Sequence, residues 1–186
     1  MRIISGYLKG RRLPATELPA RPTTDMAKEA LFDILKNLVD YDETKALDLF
    51  AGTGNISYEM ISRGCKHVLA VEKNPKCAEY IREVGKYLKI DNLMVLKTDV
   101  FQFLKTAKND FDLIFADPPY DLPELASLPS KIFEAGILKT GGWFILEHPQ
   151  QYDFSESPFF HRHRNYGKVN FTFFHIDDIE NEQIKQ

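Results

Sequence analysis

Apolar positions along this chain recur with two different periods. Over residues 25–38, Ala27, Ala30, Leu31, Ile34, Leu35 and Leu38 recur at helical spacing, and Asp25 offers an N-cap, so a helix is expected to begin there. From Lys45 the pattern changes. Ala46-Leu47-Asp48-Leu49-Phe50 is a short, mostly apolar run that ends in Ala51-Gly52-Thr53-Gly54, and residues 55–63 then look helical. His67–Glu72 reads as a second strand. Asn74-Pro75 caps and starts a helix with Cys77, Ala78, Ile81, Val84 and Leu88 on one face. Leu93–Leu96 is a third strand, Val100–Ala107 a short helix, and Phe111–Ala116 a fourth strand ending at Asp117-Pro118-Pro119-Tyr120. A helix is expected over roughly 123–137 and a fifth strand over Trp143–Glu147. His161–Tyr166 and Val169–Ile176 flank Gly167, which predicts a closing hairpin. In front of all this, Met1–Pro14 reads as a short extended arm with turn-permissive Gly6 and Gly10.

Strands alternating with helices predict an α/β fold: a mostly parallel, doubly wound sheet with an antiparallel C-terminal hairpin strand, preceded by a short N-terminal β-arm and a helix. The expected organisation is an arm over 1–24, a catalytic domain over 25–176 and a tail over 177–186. In such sheets ligands bind beyond the carboxyl ends of the strands. Gly52–Gly54, Glu72 and Asp117–Tyr120 are all predicted to lie at such ends.

Charge sharpens the arm. The chain of 186 residues carries a net charge of −3, which argues against nucleic acid, but the distribution is polarised. Residues 1–24 hold Arg2, Lys9, Arg11, Arg12 and Arg21 against the single acid Glu17, whereas Asp177, Asp178, Glu180 and Glu182 dominate the tail. The arm therefore reads as phosphate-neutralising, able to position RNA without reading its bases. His161-Arg162-His163-Arg164 is either an extension of that surface or a solvated strand. Cys65 and Cys77 have no metal-type spacing, so reduced thiols and no metal are expected. No apolar run is long enough to span a bilayer, and Met1–Gly6 lacks signal-peptide anatomy, so a cytoplasmic monomer without membrane contact is expected.

The glycine turn lets a ligand approach the backbone, and Glu72, at the end of the next strand, is placed to hydrogen-bond a ribose diol. Asp99, after the third strand, is placed to accept from an adenine amine. A dinucleotide and S-adenosylmethionine both fit a ribose-gripping acid. A dinucleotide turn needs a third glycine where this chain has Ser57, and the negative charge of Asp48 suits a cationic sulfonium and ammonium better than a pyrophosphate. The methyl donor is therefore expected.

Asp117-Pro118-Pro119-Tyr120 is the most specific motif. Two prolines fix φ and remove two backbone donors, so the turn presents acceptors without competing N–H groups. Asp117 and the Pro118 carbonyl can accept the two hydrogens of one NH₂ group, leaving its lone pair aimed at a methyl carbon. In-line transfer is then driven by positioning and electrostatics. Tyr120 is expected to stack on the target base.

These residues carry a resemblance. The sequence resembles class I, Rossmann-like methyltransferases and, within them, the RsmD family of small-subunit ribosomal RNA methyltransferases. The likeness runs from Arg2-Ile3-Ile4-Ser5-Gly6 and Lys9-Gly10-Arg11-Arg12-Leu13 through Arg21-Pro22-Thr23-Thr24-Asp25 and Glu29-Ala30-Leu31-Phe32. It continues over Leu47–Gly54, Val71-Glu72-Lys73-Asn74, the Asp-Pro-Pro-Tyr turn and Glu147-His148. The arm with Arg-Pro-Thr is what is particular to RsmD; the middle motifs occur in many amine methyltransferases. The resemblance implies transfer from S-adenosylmethionine to N2 of guanine 966 of bacterial 16S rRNA, in the 30S subunit or an assembly intermediate. It implies that Asp48, Gly52 and Gly54 hold the methionine end, Glu72 the ribose, and Asp99 and Val100 the adenine, with Phe50, Thr53 and Lys73 also expected to bind the cofactor. Asp117 is shared between donor and acceptor, and Arg2, Lys9, Arg11, Arg12, Arg21 and Thr23 face RNA. Asn55-Ile56-Ser57 departs from the family pattern, and the expectation is that this alters helix packing without touching the donor contacts. Other readings are N6 of adenine, a protein glutamine amide, a nicotinamide-dependent oxidoreductase, and a non-catalytic RNA-binding protein on the same fold.

Overall fold

The computed structural model describes residues 1–18, 25–108 and 110–177. Five helices and seven strands are built from them: α1 (Asp25–Leu35), β1 (Lys45–Leu49), α2 (Asn55–Ser62), β2 (His67–Glu72), α3 (Pro75–Leu88), β3 (Leu93–Lys97), α4 (Val100–Thr106), β4 (Phe111–Ala116), α5 (Leu128–Glu134), β5 (Leu138–His148), β6 (Phe160–Tyr166) and β7 (Val169–His175). The strands form one sheet in the order β3-β2-β1-β4-β5-β7-β6. β1 to β5 are mutually parallel, and β7 runs antiparallel to both β5 and β6.

Residues alternate between two covered faces. On one, Ala46, Val68, Leu113, Phe115, Ile145, Phe171 and Phe173 pack under α1 and α2. On the other, Leu47, Leu49, Val71, Ile114, Phe144 and Leu146 pack under α4 and α5. Burial on both faces explains why the central strands read as continuous apolar runs rather than alternating ones.

Three expectations about elements change. Residues 123–137 form a 3₁₀ turn over Leu125–Ser127 and then the short α5, because Pro129 is tolerated only in the first turn of the helix it begins. β5 is longer than Trp143–Glu147, since the ladder passes through Gly141-Gly142 with a register shift between Phe111 and Leu113 on β4. Asp25 lies in the first turn of α1 rather than capping it, and α1 ends at Leu35. The Asn74 cap stands as expected: its side chain accepts from the N–H groups of Lys76 and Cys77.

The arm is closed by a single antiparallel bridge between Arg2 and Arg12, and it docks on α2 and α3. Ile3, Leu8 and Leu13 are buried against Tyr58, Ile81, Val84 and Leu88. Its backbone is tied to α2: the N–H groups of Ile4 and Ser5 donate to Glu59 at 2.8 and 3.0 Å, and that of Tyr7 to the Ser62 carbonyl at 2.8 Å. Gly6 makes this approach possible. It has φ +82°, and a Cβ there would lie 1.6 Å from the Ser62 carbonyl oxygen.

Candidate active site

Register places the predicted segments side by side. Leu49 of β1 pairs with Val71 of β2 and Ala116 of β4, and Ala116 pairs with Leu146 of β5. The turn 50–54, Glu72, Asp117–Tyr120 and Glu147-His148 therefore all emerge at one edge of the sheet. Backbone bonds knit that edge together: Ala51 N–H donates to the Val71 carbonyl at 3.1 Å, and Asp117 N–H to that of Leu49 at 3.4 Å.

The turn after β1 is left-handed at three residues: Phe50 (φ 59°), Gly52 (φ 56°) and Gly54 (φ 78°). For Phe50 this is strained backbone of the kind that persists when surroundings over-determine it. Its ring packs edge-on to Phe101, with centroids 6.4 Å apart. Gly54 also lacks room for a side chain, since a Cβ would come within 3.0 Å of the Tyr58 ring. Gly52 N–H donates to Glu72 Oε2 at 2.8 Å, and Asn74 N–H donates to Oε1 at 2.7 Å. Glu72 is thus buried and held by two backbone amides, each oxygen keeping acceptor capacity for a further donor. Thr53 is buried, with its hydroxyl 3.6 Å from the Met1 sulfur.

Asp48 sits beneath this turn. Its Oδ2 accepts both the backbone N–H and the hydroxyl of Ser57. The expectation that Ser57 leaves the donor contacts untouched is thereby corrected: a small hydroxyl residue at this position reaches back to the acid one turn away. Burial pushes the Asp48 carboxyl up to about 7, against the pull of the two Ser57 bonds. The sign follows directly. A folded carboxyl raised above its unfolded value contributes no instability below about pH 4, and loses stability as pH climbs toward 7. Asp48→Asn keeps the acceptor for Ser57 and removes the ionisation. The variant is therefore expected to gain on the parent in melting temperature progressively between about pH 4 and 7. Melting curves of both proteins across that range that stay parallel would refute the assignment.

Asp99 serves first as the N-cap of α4, where its Oδ1 accepts from Phe101 N–H at 2.9 Å and Gln102 N–H at 3.3 Å. Val100 points into the core beneath α4, and Lys73 is exposed.

On the acceptor side, Pro118 is buried, Asp117 and Tyr120 are half-buried and Pro119 is exposed. The Tyr120 hydroxyl donates to Glu147 Oε1 at 3.3 Å, and Glu147 is only 1% exposed. Sequence reasoning assigned no role to Glu147. The signal available was an acid ending an otherwise apolar strand. Beside it His148 is buried, and burial pushes its pKa down, so it is neutral near pH 7. Its Nδ1 faces the Pro149 carbonyl, which can only accept, so Nδ1 carries the hydrogen and Nε2 accepts from the Thr172 hydroxyl at 2.8 Å.

Of the residues assigned to RNA, Arg2, Lys9, Arg11 and Arg12 are exposed on the docked arm; Arg21 and Thr23 lie outside the described residues. Arg2 pairs with Asp25 at 3.3 Å, and Arg11 lies over the Tyr87 ring at 5.5 Å. Among the described residues no group of His, Cys, Asp and Glu is arranged to hold a metal, and no helix is long and apolar enough to cross a membrane. A cavity of about 710 Å³ opens at the opposite edge of the sheet, around Lys45, His67, Asn92 and Lys139, and includes none of these site residues.

The family model described as conserved hypothetical protein 95 matches residues 1–175. The Bacillus subtilis protein YlbH is 34% identical over 162 residues, covering 84% of this chain and 87% of its own length. Ribosomal RNA small subunit methyltransferase D of Escherichia coli is 31% identical over 148 residues, covering 79% and 71%. Among solved structures, a hypothetical protein of Thermus thermophilus superposes with a TM-score of 0.83 at 29% identity, covering 95% of this chain and 99% of that one.

Proposed function

The chain belongs to the conserved hypothetical protein 95 family, the RsmD family of methyltransferases, and on that premise we propose that it methylates the N2 amine of a guanine in 16S rRNA, with S-adenosylmethionine as donor. The observation that carries the reading is the shared edge on which a glycine turn locked to Glu72 lies beside Asp117-Pro118-Pro119-Tyr120.

The residues fit the donor. The left-handed turn exposes backbone at Gly52, the Glu72 carboxylate is oriented by two amides toward a diol, and Asp48 provides a tunable negative charge below. When bound, S-adenosylmethionine supplies an electrophilic methyl carbon on a sulfonium. Asp117 and the Pro118 carbonyl would accept the two amine hydrogens and orient the nitrogen lone pair. The Tyr120 ring, fixed through its hydroxyl by Glu147, would stack on the guanine. The methylated ammonium is acidic and releases its proton to water, so no strong base is needed.

The test is direct. Unmethylated 30S particles incubated with labelled S-adenosylmethionine and this protein are expected to yield N2-methylguanine in the digested 16S rRNA. Labelling of adenine N6, or none at all, would exclude the reading.

A further inference from the structure

β6 is an edge strand of the sheet, and its charge is unlike that of any other strand. It carries Arg162 and Arg164, and Lys168 follows in the turn to β7. Register sets where they lie. Glu147 of β5 pairs with Phe171 of β7, which pairs with Arg164 of β6. Arg164 is therefore two strands from the acid that holds Tyr120, about 10 Å at normal strand spacing. Arg162, Arg164 and Tyr166 share one face by strand alternation. Arg162 lies over the Phe173 ring at 5.1 Å and Tyr166 packs against Phe171, so this is the face that carries α1 and α2. The docked arm packs on the same side, at the β2 end of the sheet. The acceptor turn after β4 lies between the two basic groups.

Among the described residues no ion pair includes Arg162, Arg164 or Lys168. The Arg162 Nε is buried without a hydrogen-bond partner among the described residues, and burial first, then the nearby Arg164, disfavours its charge. The nearby acids lie elsewhere. Asp177 is near His161 and His175 at the amino end of β6, and exposed Asp153 is near His148 and His163 on the other face. Among the described residues, two adjacent guanidiniums and an ammonium in no ion pair, on an exposed strand edge, match a polyanion.

Resting on the proposed function, we propose that Arg164 and Lys168, with Arg162 behind them, grip the sugar-phosphate backbone of the RNA on the far side of the acceptor base from the arm. A base held at Asp117–Tyr120 is joined to its own phosphates on both sides. A clamp on one flank alone would leave the other free to swing, so two flanking cation groups hold the nucleotide in register.

The test measures equilibrium binding of unmethylated 30S subunits across a salt series, without turnover. The proteins are the parent, Arg164→Ala, Lys168→Ala and, at the other end of the strand, His161→Ala. Arg164 and Lys168 are exposed, so truncation leaves the core intact, and calorimetric binding of S-adenosylhomocysteine reports an intact site. Each cation removed is expected to weaken binding several-fold and to make the log–log salt slope shallower by about one, with His161→Ala like the parent. Unchanged slopes, or weaker binding with an unchanged slope, would overturn the proposal. A parent that binds with the expected slope yet forms no N2-methylguanine would remove the proposed reaction while leaving the RNA grip standing.

Discussion

Asp117→Ala is expected to lower methyl transfer to 30S particles by about 10³-fold, with S-adenosylhomocysteine still bound near parental affinity. The main chain at 117 is held by its N–H bond to the Leu49 carbonyl, and the rings of Pro118 and Pro119 fix φ at the next two residues, so the turn survives loss of the side chain. What is lost is an acceptor whose bond to the amine strengthens as positive charge grows on the attacking nitrogen. Such an interaction belongs to the transition state, so its loss is expected in kcat rather than in KM. Asp117→Asn sharpens the test. It keeps the shape and one acceptor but can turn an NH₂ group toward the amine hydrogens, so its rate is expected between parent and alanine. Single-turnover assays that find the alanine variant within about tenfold of the parent would end the assigned role.

The proposed role of Asp117 rests on local chemistry: four consecutive residues define the turn and its acceptors. The parallel strands were equally legible, since burial on both faces writes unbroken apolar runs such as Leu113–Ala116. Glu72 could be placed at a strand end, but not its bonds to Gly52 and Asn74, which depend on how two turns meet across β1 and β2. Ser57 carries no local sign of a partner in the sequence, whereas the fold makes it the partner of Asp48, nine residues earlier. Glu147 acquires its function only from Tyr120, 27 residues away, through the β4–β5 pairing. The same holds for Arg164, whose nearness to the acceptor turn is set by two antiparallel registers. Pairings between distant segments carry no local pattern.

The arm is the largest such case, and it carries the second prediction. Its charge marked it as an RNA-facing segment, but its attachment runs through a buried lysine on α1. Lys28 is fully buried; its Nζ donates to the Arg2 carbonyl at 2.8 Å and to Asn55 Oδ1 at 2.9 Å, and lies 3.5 Å from Glu59. Glu59 also accepts from Arg63 and from the arm amides of Ile4 and Ser5. Lys28→Met of similar volume leaves the Arg2 carbonyl and the Asn55 side chain without their donor, and leaves Glu59 with one cation in place of two. Breaking a buried pair from one side costs about 3–5 kcal/mol. For a domain of this size that lowers the melting temperature by roughly 10 °C. Replacing Glu59 as well cannot restore it, because the arm amides would lose their carboxylate. The exposed Lys36–Asp33 pair is the contrast, since Lys36→Met is expected to change stability by less than about 1 kcal/mol. Function should follow structure, because Asn55 begins α2 directly after Gly54, and Met1 touches Thr53 in the donor turn. Hydrogen exchange at the Ile4 and Ser5 amides is therefore expected to accelerate in Lys28→Met, together with weaker S-adenosylhomocysteine binding. A variant that melts within about 1 kcal/mol of the parent, with those amides still protected, would show that the arm is held without Lys28.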